Sequence, residues 1–241
     1  MSSLPKIEQK WHQTTLLSSN KNVEFRGFKV GEQKELLIVK GTSKSDGDLY
    51  AAIVNMIQGC VKDLQVKELS IVDFEKLFYD IRSVSDGNNI SVTIKCPKCK
   101  TENTLDVNTT NDFEIKNPDN KKLVMDIVES GDAIKAFFEH PNVKDSAKVE
   151  KKKYSSDEEK AFDMVAFCLK KVVQGESVAT DFSHDEALNF IESLPGNYFE
   201  KIEKFFGNAP SLVINKEFNC TSESCGKPII KRGEPARDFL S

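Results

Sequence analysis

Cys96-Pro97-Lys98-Cys99 and Cys220-Thr221-Ser222-Glu223-Ser224-Cys225 are the stretches on which the fold turns. The first is a C-x2-C pair that follows the alternating run Ile90-Ser-Val-Thr-Ile-Lys95 and precedes Thr101-Glu-Asn-Thr-Leu-Asp-Val107, so it reads as a tight knuckle between two strands. Pro97 restricts the backbone between the two thiols, which lowers the ordering cost of aiming both at one ion. The second pair is a C-x4-C knuckle after the apolar run Ser211-Leu-Val-Ile-Asn-Lys-Glu-Phe218, and Cys225-Gly-Lys-Pro228 supplies its turn chemistry. A structural zinc ion takes four ligands, and neither knuckle has a nearby histidine to complete a set. The simplest closure joins the pairs, with Cys96, Cys99, Cys220 and Cys225 around one Zn2+ per chain. A redox reading of Cys96 and Cys99 needs a strand-to-helix setting that lowers one thiol's pKa, and this pair lies between strand-like segments instead. A closed four-thiolate site leaves no open position for catalysis, so the expected role is structural.

The other two cysteines read as core. Cys60 continues the stripe of Leu49, Ala52, Ile53, Met56 and Ile57, and Cys168 falls among Ala161, Val165, Leu169 and Val172, both at helical spacing.

Working outward, Val23-Glu-Phe-Arg-Gly-Phe-Lys-Val30 alternates, and Glu35-Leu-Leu-Ile-Val-Lys40 is apolar and β-branched, which predicts a hairpin. A helix is expected from Asp46, with Asp46 or Asp48 as its cap and Gly59 near its end, and another from Asp73, taken as the N-cap, to about Val84. Phe113 to Met125 reads as strand interrupted at 117–120, and Ser130 to Glu139 as a short helix. The lysine-rich run 144–153 reads as a solvated linker. Ser156-Asp-Glu-Glu159 and Ser183-His-Asp-Glu186 are capping boxes that open helices, the first with an apolar face running through Leu169 and Val173. A last helix spans Tyr198 to Phe206. The fold class is therefore α+β: a small antiparallel sheet with zinc-ribbon-like knuckles and a helical insert between them. The expected units are an N-terminal docking segment bearing Trp11 (1–20), an α+β domain with the first knuckle (21–115), the helical insert (116–210), and the second knuckle with a C-terminal tail packing back on the α+β domain (211–241).

With 241 residues, 39% hydrophobic, sixteen Phe and 30% charged, the chain has the composition of a packed globular protein. Its net charge of -4 supplies no general field for a phosphate backbone. No apolar leader precedes the first polar residues, and no run approaches the roughly 18 apolar residues of a membrane span, so an intracellular protein with no membrane span is expected. His12, His140 and His184 are scattered, and there is no nucleophile motif, Gly-rich phosphate loop or metalloprotease motif. Neither an enzyme nor a small-molecule substrate is expected.

At Glu24-Phe25-Arg26-Gly27-Phe28-Lys29-Val30-Gly31-Glu32, and at Asp73-Phe74-Glu75-Lys76-Leu77-Phe78-Tyr79-Asp80-Ile81-Arg82-Ser83-Val84-Ser85, the chain resembles the baseplate hub subunits of T4-type tailed bacteriophages. The resemblance covers about residues 20–115 and includes the Cys96 knuckle. It implies a late viral protein of the contractile-tail baseplate hub, either retained in the particle or acting in assembly. It also implies other hub and tail proteins as partners, location in the host cytoplasm during assembly and in the tail baseplate, and no catalysis. The alternative is a zinc-ribbon nucleic-acid-binding regulator, using Lys95, Lys98 and Lys100 near the first knuckle and Lys227, Lys231 and Arg232 near the second.

Overall fold

A computed structural model describes residues 5, 7–42, 46–109, 111–128 and 133–233. The chain opens with a hairpin of β1 (His12–Thr15) and β2 (Asn22–Phe25), in which His12 faces Phe25 and Thr15 faces Asn22. The expected second strand over 35–40 is instead part of helix α1 (Val30–Thr42). Two contacts explain the difference. The free edge of β2 is taken by the segment around Val61, which bridges Phe25, with Arg26 N–H donating to the Cys60 carbonyl and Lys62 N–H to that of Glu24. Glu32 meanwhile accepts the Lys29 N–H at 2.7 Å and pairs with Arg26 at 2.6 Å, which fixes the first turn of α1.

Helix α2 (Asp46–Gly59) follows as expected; the side chain of Asp46 lies outside the described residues. After a short 3-10 turn at Val66–Glu68 comes α3 (Ile71–Asp86), whose Leu77 and Ile81 are fully buried. Its N-cap is Ser70, not Asp73: the Ser70 side chain accepts the Asp73 N–H. Asp73, 1% exposed, is recruited by the turn after β1, accepting the N–H groups of Leu17 at 2.6 Å and Ser18 at 3.0 Å as well as the Ser18 hydroxyl. The N-terminal hairpin is thereby bound to the body, and Leu16, Val23 and Phe25 join Ile57, Leu77 and Ile81 in one core.

Strands β3 (Asn89–Lys95) and β4 (Glu102–Asn108) pair as a two-stranded ribbon, with Lys95 opposite Glu102. Next come β5 (Phe113–Lys116), β6 (Lys122–Ile127) and β7 (Ile134–Glu139). Where a helix was expected from Ser130, whose first residues lie outside those described, β7 is a strand hydrogen-bonded to β6 on one side. Ala136 and Phe138 are wholly buried, and this period-2 burial is what a helix would have broken. The lysine-rich run is not a linker but α4 (Val143–Glu150), capped by Asn142, with Val143 and Val149 buried and its lysines turned outward.

Helix α5 (Asp157–Cys168) starts at the Ser156 cap and stops short of the expected face, because Leu169 turns extended and begins β8 (Leu169–Gln174). The β-branched pair Val172-Val173 packs well on a pleated surface, and here β7 and β9 (Ser177–Ala179) flank it. Helix α6 (His184–Glu192) carries a complete capping box at Ser183 and Glu186, and α7 (Gly196–Gly207) follows. Helices α5, α6 and α7 cover a four-stranded sheet in the order β6-β7-β8-β9, around a second core of Met125, Phe138, Leu169, Ile191, Ile202 and Phe205, while α4 sets Val143 into the first core.

The chain then returns through β10 (Ser211–Asn219) and β11 (Pro228–Gly233). β10 lies between β11 and β5, with Lys116 opposite Ser211, so the insert leaves and re-enters the body through adjacent antiparallel strands. Leu212 and Ile214 anchor β10 in the first core. Among the described residues the fold is thus mixed α and β, with seven α-helices and small antiparallel sheets. Within them, no helix is long and apolar enough to cross a membrane. Residues 234–241, part of the expected C-terminal tail, lie outside the described residues.

Candidate metal centre

Each knuckle is built the same way. In the first, the Cys96 N–H donates to the Thr101 carbonyl at 2.9 Å and the Lys100 N–H returns to the Cys96 carbonyl at 2.9 Å, closing the turn between β3 and β4. In the second, the Cys220 N–H donates to the Lys227 carbonyl at 2.9 Å, between β10 and β11. In both cases the first cysteine bonds the residue two places after the second cysteine. The residue immediately after that second cysteine is left-handed: Lys100 at φ 63 and Gly226 at φ 51. Gly226 takes this conformation without a steric penalty, whereas Lys100 adopts it against its Cβ.

The two knuckles face one another. Cys96 Sγ lies 4.0 Å from Cys225 Sγ and Cys99 Sγ 3.5 Å from Cys220 Sγ, and all four sulfurs fall within 4.8 Å of one another. A zinc–sulfur bond of about 2.3 Å in a tetrahedron sets neighbouring sulfurs about 3.8 Å apart, so the observed spacing fits a single ion at the centre. Cys96 and Cys220 are buried, at 1% and 5% exposure, while Cys99 and Cys225 reach toward solvent. The four thiols do not behave alike. Hydrogen bonding from Thr101, through its side chain and then its backbone, pulls Cys99 down to about 6. For Cys220 a backbone hydrogen bond from Ser222 acts in the same direction, but burial and the three neighbouring sulfurs outweigh it and push the thiol up to about 11. Four thiolates in so small a volume repel one another, and a divalent cation supplies the charge that lets them coexist. The arrangement could hold a metal ion.

One residue of this centre was not singled out in the sequence. Asn103, fully buried, spans the two knuckles: its Oδ1 accepts the Thr221 N–H at 2.7 Å and the Thr221 hydroxyl at 3.0 Å, and its Nδ2 donates to the Thr101 carbonyl at 2.8 Å. Its inward place in the alternation of β4, between exposed Glu102 and Thr104, was the available signal. Cys60 and Cys168 lie elsewhere, wholly buried as expected, and burial pushes both thiols up to about 12. Cys60 sits beside the Arg26–Glu32 pair, with Arg26 Nη1 3.7 Å from its sulfur. The histidines occupy three separate places. His12 packs near Phe25, His140 stacks on Phe205, and His184 sits 2.7 Å from Asp163.

The chain matches the family model described as T4 bacteriophage base plate protein over residues 10–239. It belongs to that family. The match runs through the first core, the insert and both cysteine knuckles of this baseplate protein, well beyond the 20–115 stretch that carried the resemblance in the sequence. Membership supports a structural role in a phage tail baseplate, and with it contact with other baseplate proteins. No curated protein and no solved structure matches.

Proposed function

We propose that this baseplate protein is a structural or assembly component of the contractile-tail hub, acting by protein–protein docking and without catalysis. Its body, residues 21–115 with 211–241, is locked by one zinc ion on Cys96, Cys99, Cys220 and Cys225, and it carries 116–210 as an insert. The family match over 10–239 carries the reading. The cysteine geometry supports the metal, since four thiolates at tetrahedral spacing suit zinc better than hard cations. Docking is supported by exposed apolar side chains, among them Val30, Leu37 and Ile38 on α1, with 82%, 63% and 51% exposure. The partners are other hub and tail proteins, met in the host cytoplasm during assembly, with the protein either retained in the baseplate or acting as an assembly factor.

Nucleic-acid binding is disfavoured. The chain carries a net charge of -4, and Lys95 at the first knuckle is already within 3.5 Å of Glu102. The test is deletion of the gene for this protein followed by complementation. Particles without it should lack complete baseplates by electron microscopy, and a tagged copy should co-sediment with hub intermediates. Complete, infective tails in its absence would overturn the reading, and a DNA gel shift that weakens steeply with salt would favour the regulator.

A further inference from the structure

The cysteine cluster joins the outer ends of two hairpins whose inner ends, through Leu105 and Val107 on one and Leu212 and Ile214 on the other, are part of the first core. Its buried hydrophobic residues are Cys96, Cys220 and Ile229, with Phe218 and Cys225 packed alongside, so two of the three buried members are themselves thiols. Apolar burial of this extent is too small to fix the knuckles themselves, which lie beyond the part of each hairpin held by the first core. At that end the link between the two knuckles is polar.

We propose that Asn103 is a positioning residue: its carboxamide joins the two knuckles and holds the second pair of thiols in place for the metal. This rests on the metal reading given above. The carboxamide uses both ends. Nδ2 donates to the Thr101 carbonyl, which also receives the Cys96 N–H at 2.9 Å, so Asn103 bonds the residue that closes the first knuckle. Oδ1 takes both the N–H and the hydroxyl of Thr221, the residue directly after Cys220. Thr101 in turn places its hydroxyl 3.3 Å from Cys99 Sγ. A ring results, running from Cys99 through Thr101, Asn103 and Thr221 to Cys220 and back across the 3.5 Å gap between Cys220 and Cys99. The ring contains the shorter of the two cross-knuckle sulfur distances given above, as expected if the polar link sets that spacing.

The chemistry singles out asparagine. The site needs one acceptor able to take two donors on one side and an N–H donor on the other, all in one plane and without charge. Aspartate matches the shape but turns the donor into an acceptor facing the Thr101 carbonyl, and it adds a negative charge near four thiolates. An aliphatic residue leaves the part-buried Thr221 N–H without its partner. Groups of this kind, one step behind metal ligands, typically change metal affinity 10- to 100-fold when removed.

The experiment uses the full-length protein with Asn103→Ala, Asn103→Asp and Thr221→Val. Zn2+ affinity is measured by competition with a chromophoric chelator, Co2+ absorption reports the thiolate geometry, and melting of the metal-free chains reports the fold. Asn103→Ala should weaken Zn2+ binding by about 10- to 100-fold and alter the Co2+ spectrum while the metal-free melting changes little. Asn103→Asp should weaken it at least as much. Thr221→Val, which keeps the N–H but not the hydroxyl, should cost only about two- to threefold. Unchanged Zn2+ affinity and Co2+ spectrum in Asn103→Ala would overturn the inference, and so would a loss of affinity matched by an equal loss of metal-free stability. Should Asn103→Ala fail to fold, Asn103→Asp and Thr221→Val decide by the same criteria. If the unaltered protein itself takes up neither ion in a four-thiolate geometry, the metal reading has failed; if it does and the variants match it, the role of Asn103 alone has failed.

Discussion

In the ribbon around the cysteines, the buried hydrophobic residues are Cys96, Cys220 and Ile229, whereas the insert encloses Met125, Ala136, Phe138, Leu169, Ile191, Ile202 and Phe205 in a core of its own. The ribbon has two antiparallel hairpins, anchored in the first core by Leu105, Val107, Leu212 and Ile214, but with chiefly polar and sulfur contacts at the cysteine end. The insert has a four-stranded sheet with helices packed over it. Apolar burial on the insert's scale contributes on the order of 1.5–3 kcal/mol for each large side chain, enough to offset its ordering cost without an ion. The cysteine end has no such reserve of its own, and a metal ion held by the four sulfurs would supply what apolar burial there does not. The two regions teach that one chain can meet the entropy cost of folding by different physical means a few strands apart.

Removing a ligand gives the largest expected effect. Structural zinc contributes roughly 10–16 kcal/mol of binding free energy that is also folding free energy. Cys225→Ser should therefore lose bound zinc and more than about 5 kcal/mol of metal-linked stability. The loss should reach the first core, because Cys220 directly follows β10, whose Leu212 and Ile214 lie in that core. Elemental analysis and thermal melting check this, and wild-type values for both would end the idea that the ribbon depends on a metal.

Next in size is a cavity in the insert. Phe138, fully buried, becomes Ala at a cost of about 3–5 kcal/mol, with zinc content unchanged. Zinc lost in step with that stability would show that the two regions are not independent.

A third means of support lies in the body, at Arg26 and Glu32. The hydrogen bond from Arg26 holds the Glu32 carboxyl below its ordinary value, with burial acting against it. A depressed carboxyl stabilises the fold fully above its unfolded pKa of about 4.3 and loses that contribution as pH falls through the lower folded value. Glu32→Gln should thus destabilise the protein at pH 7 by about 1–3 kcal/mol, because Arg26 is left buried without its counter-charge. The gap to wild type should narrow in urea melts carried out below about pH 4. The smallest effect is at the turns: Gly226→Ala should cost about 1 kcal/mol through its left-handed backbone, while Lys100→Gly should be neutral or slightly stabilising.

Much of this could be read from the residues alone, and the failures share a cause. The convergence of Cys96, Cys99, Cys220 and Cys225 followed from ligand counting, and the caps at Ser156 and Ser183 from local hydrogen bonding, because both signals are complete within a few residues. Glu35–Lys40 was read as strand because a short apolar run is ambiguous, and what decided it was Arg26, Glu32 and the distant Val61 segment that filled the β2 edge. β7 and β8 read as helix because the ladder that joins them to each other links stretches separated by α4 and α5, although each also pairs with a sequence neighbour, β6 or β9. Asp73 was taken for a cap because nothing local announces the Leu17 and Ser18 amides it serves. Asn103 carries no motif; its role exists only once the two hairpins meet.

The pairing of Lys116 with Ser211 also governs how the molecule responds to force. A pull transmitted through the insert enters β5 and β10 at the same end, so it opens their ladder one rung at a time, as a zipper parts from its slider. A pull along β10 from the ribbon loads the rungs with β5 side by side and must slide the strands past each other. The bridge between Ser70 and Asn142 and the burial of Val143 in the first core give the insert a second hold on the body, so β5 and β10 do not carry such a load alone.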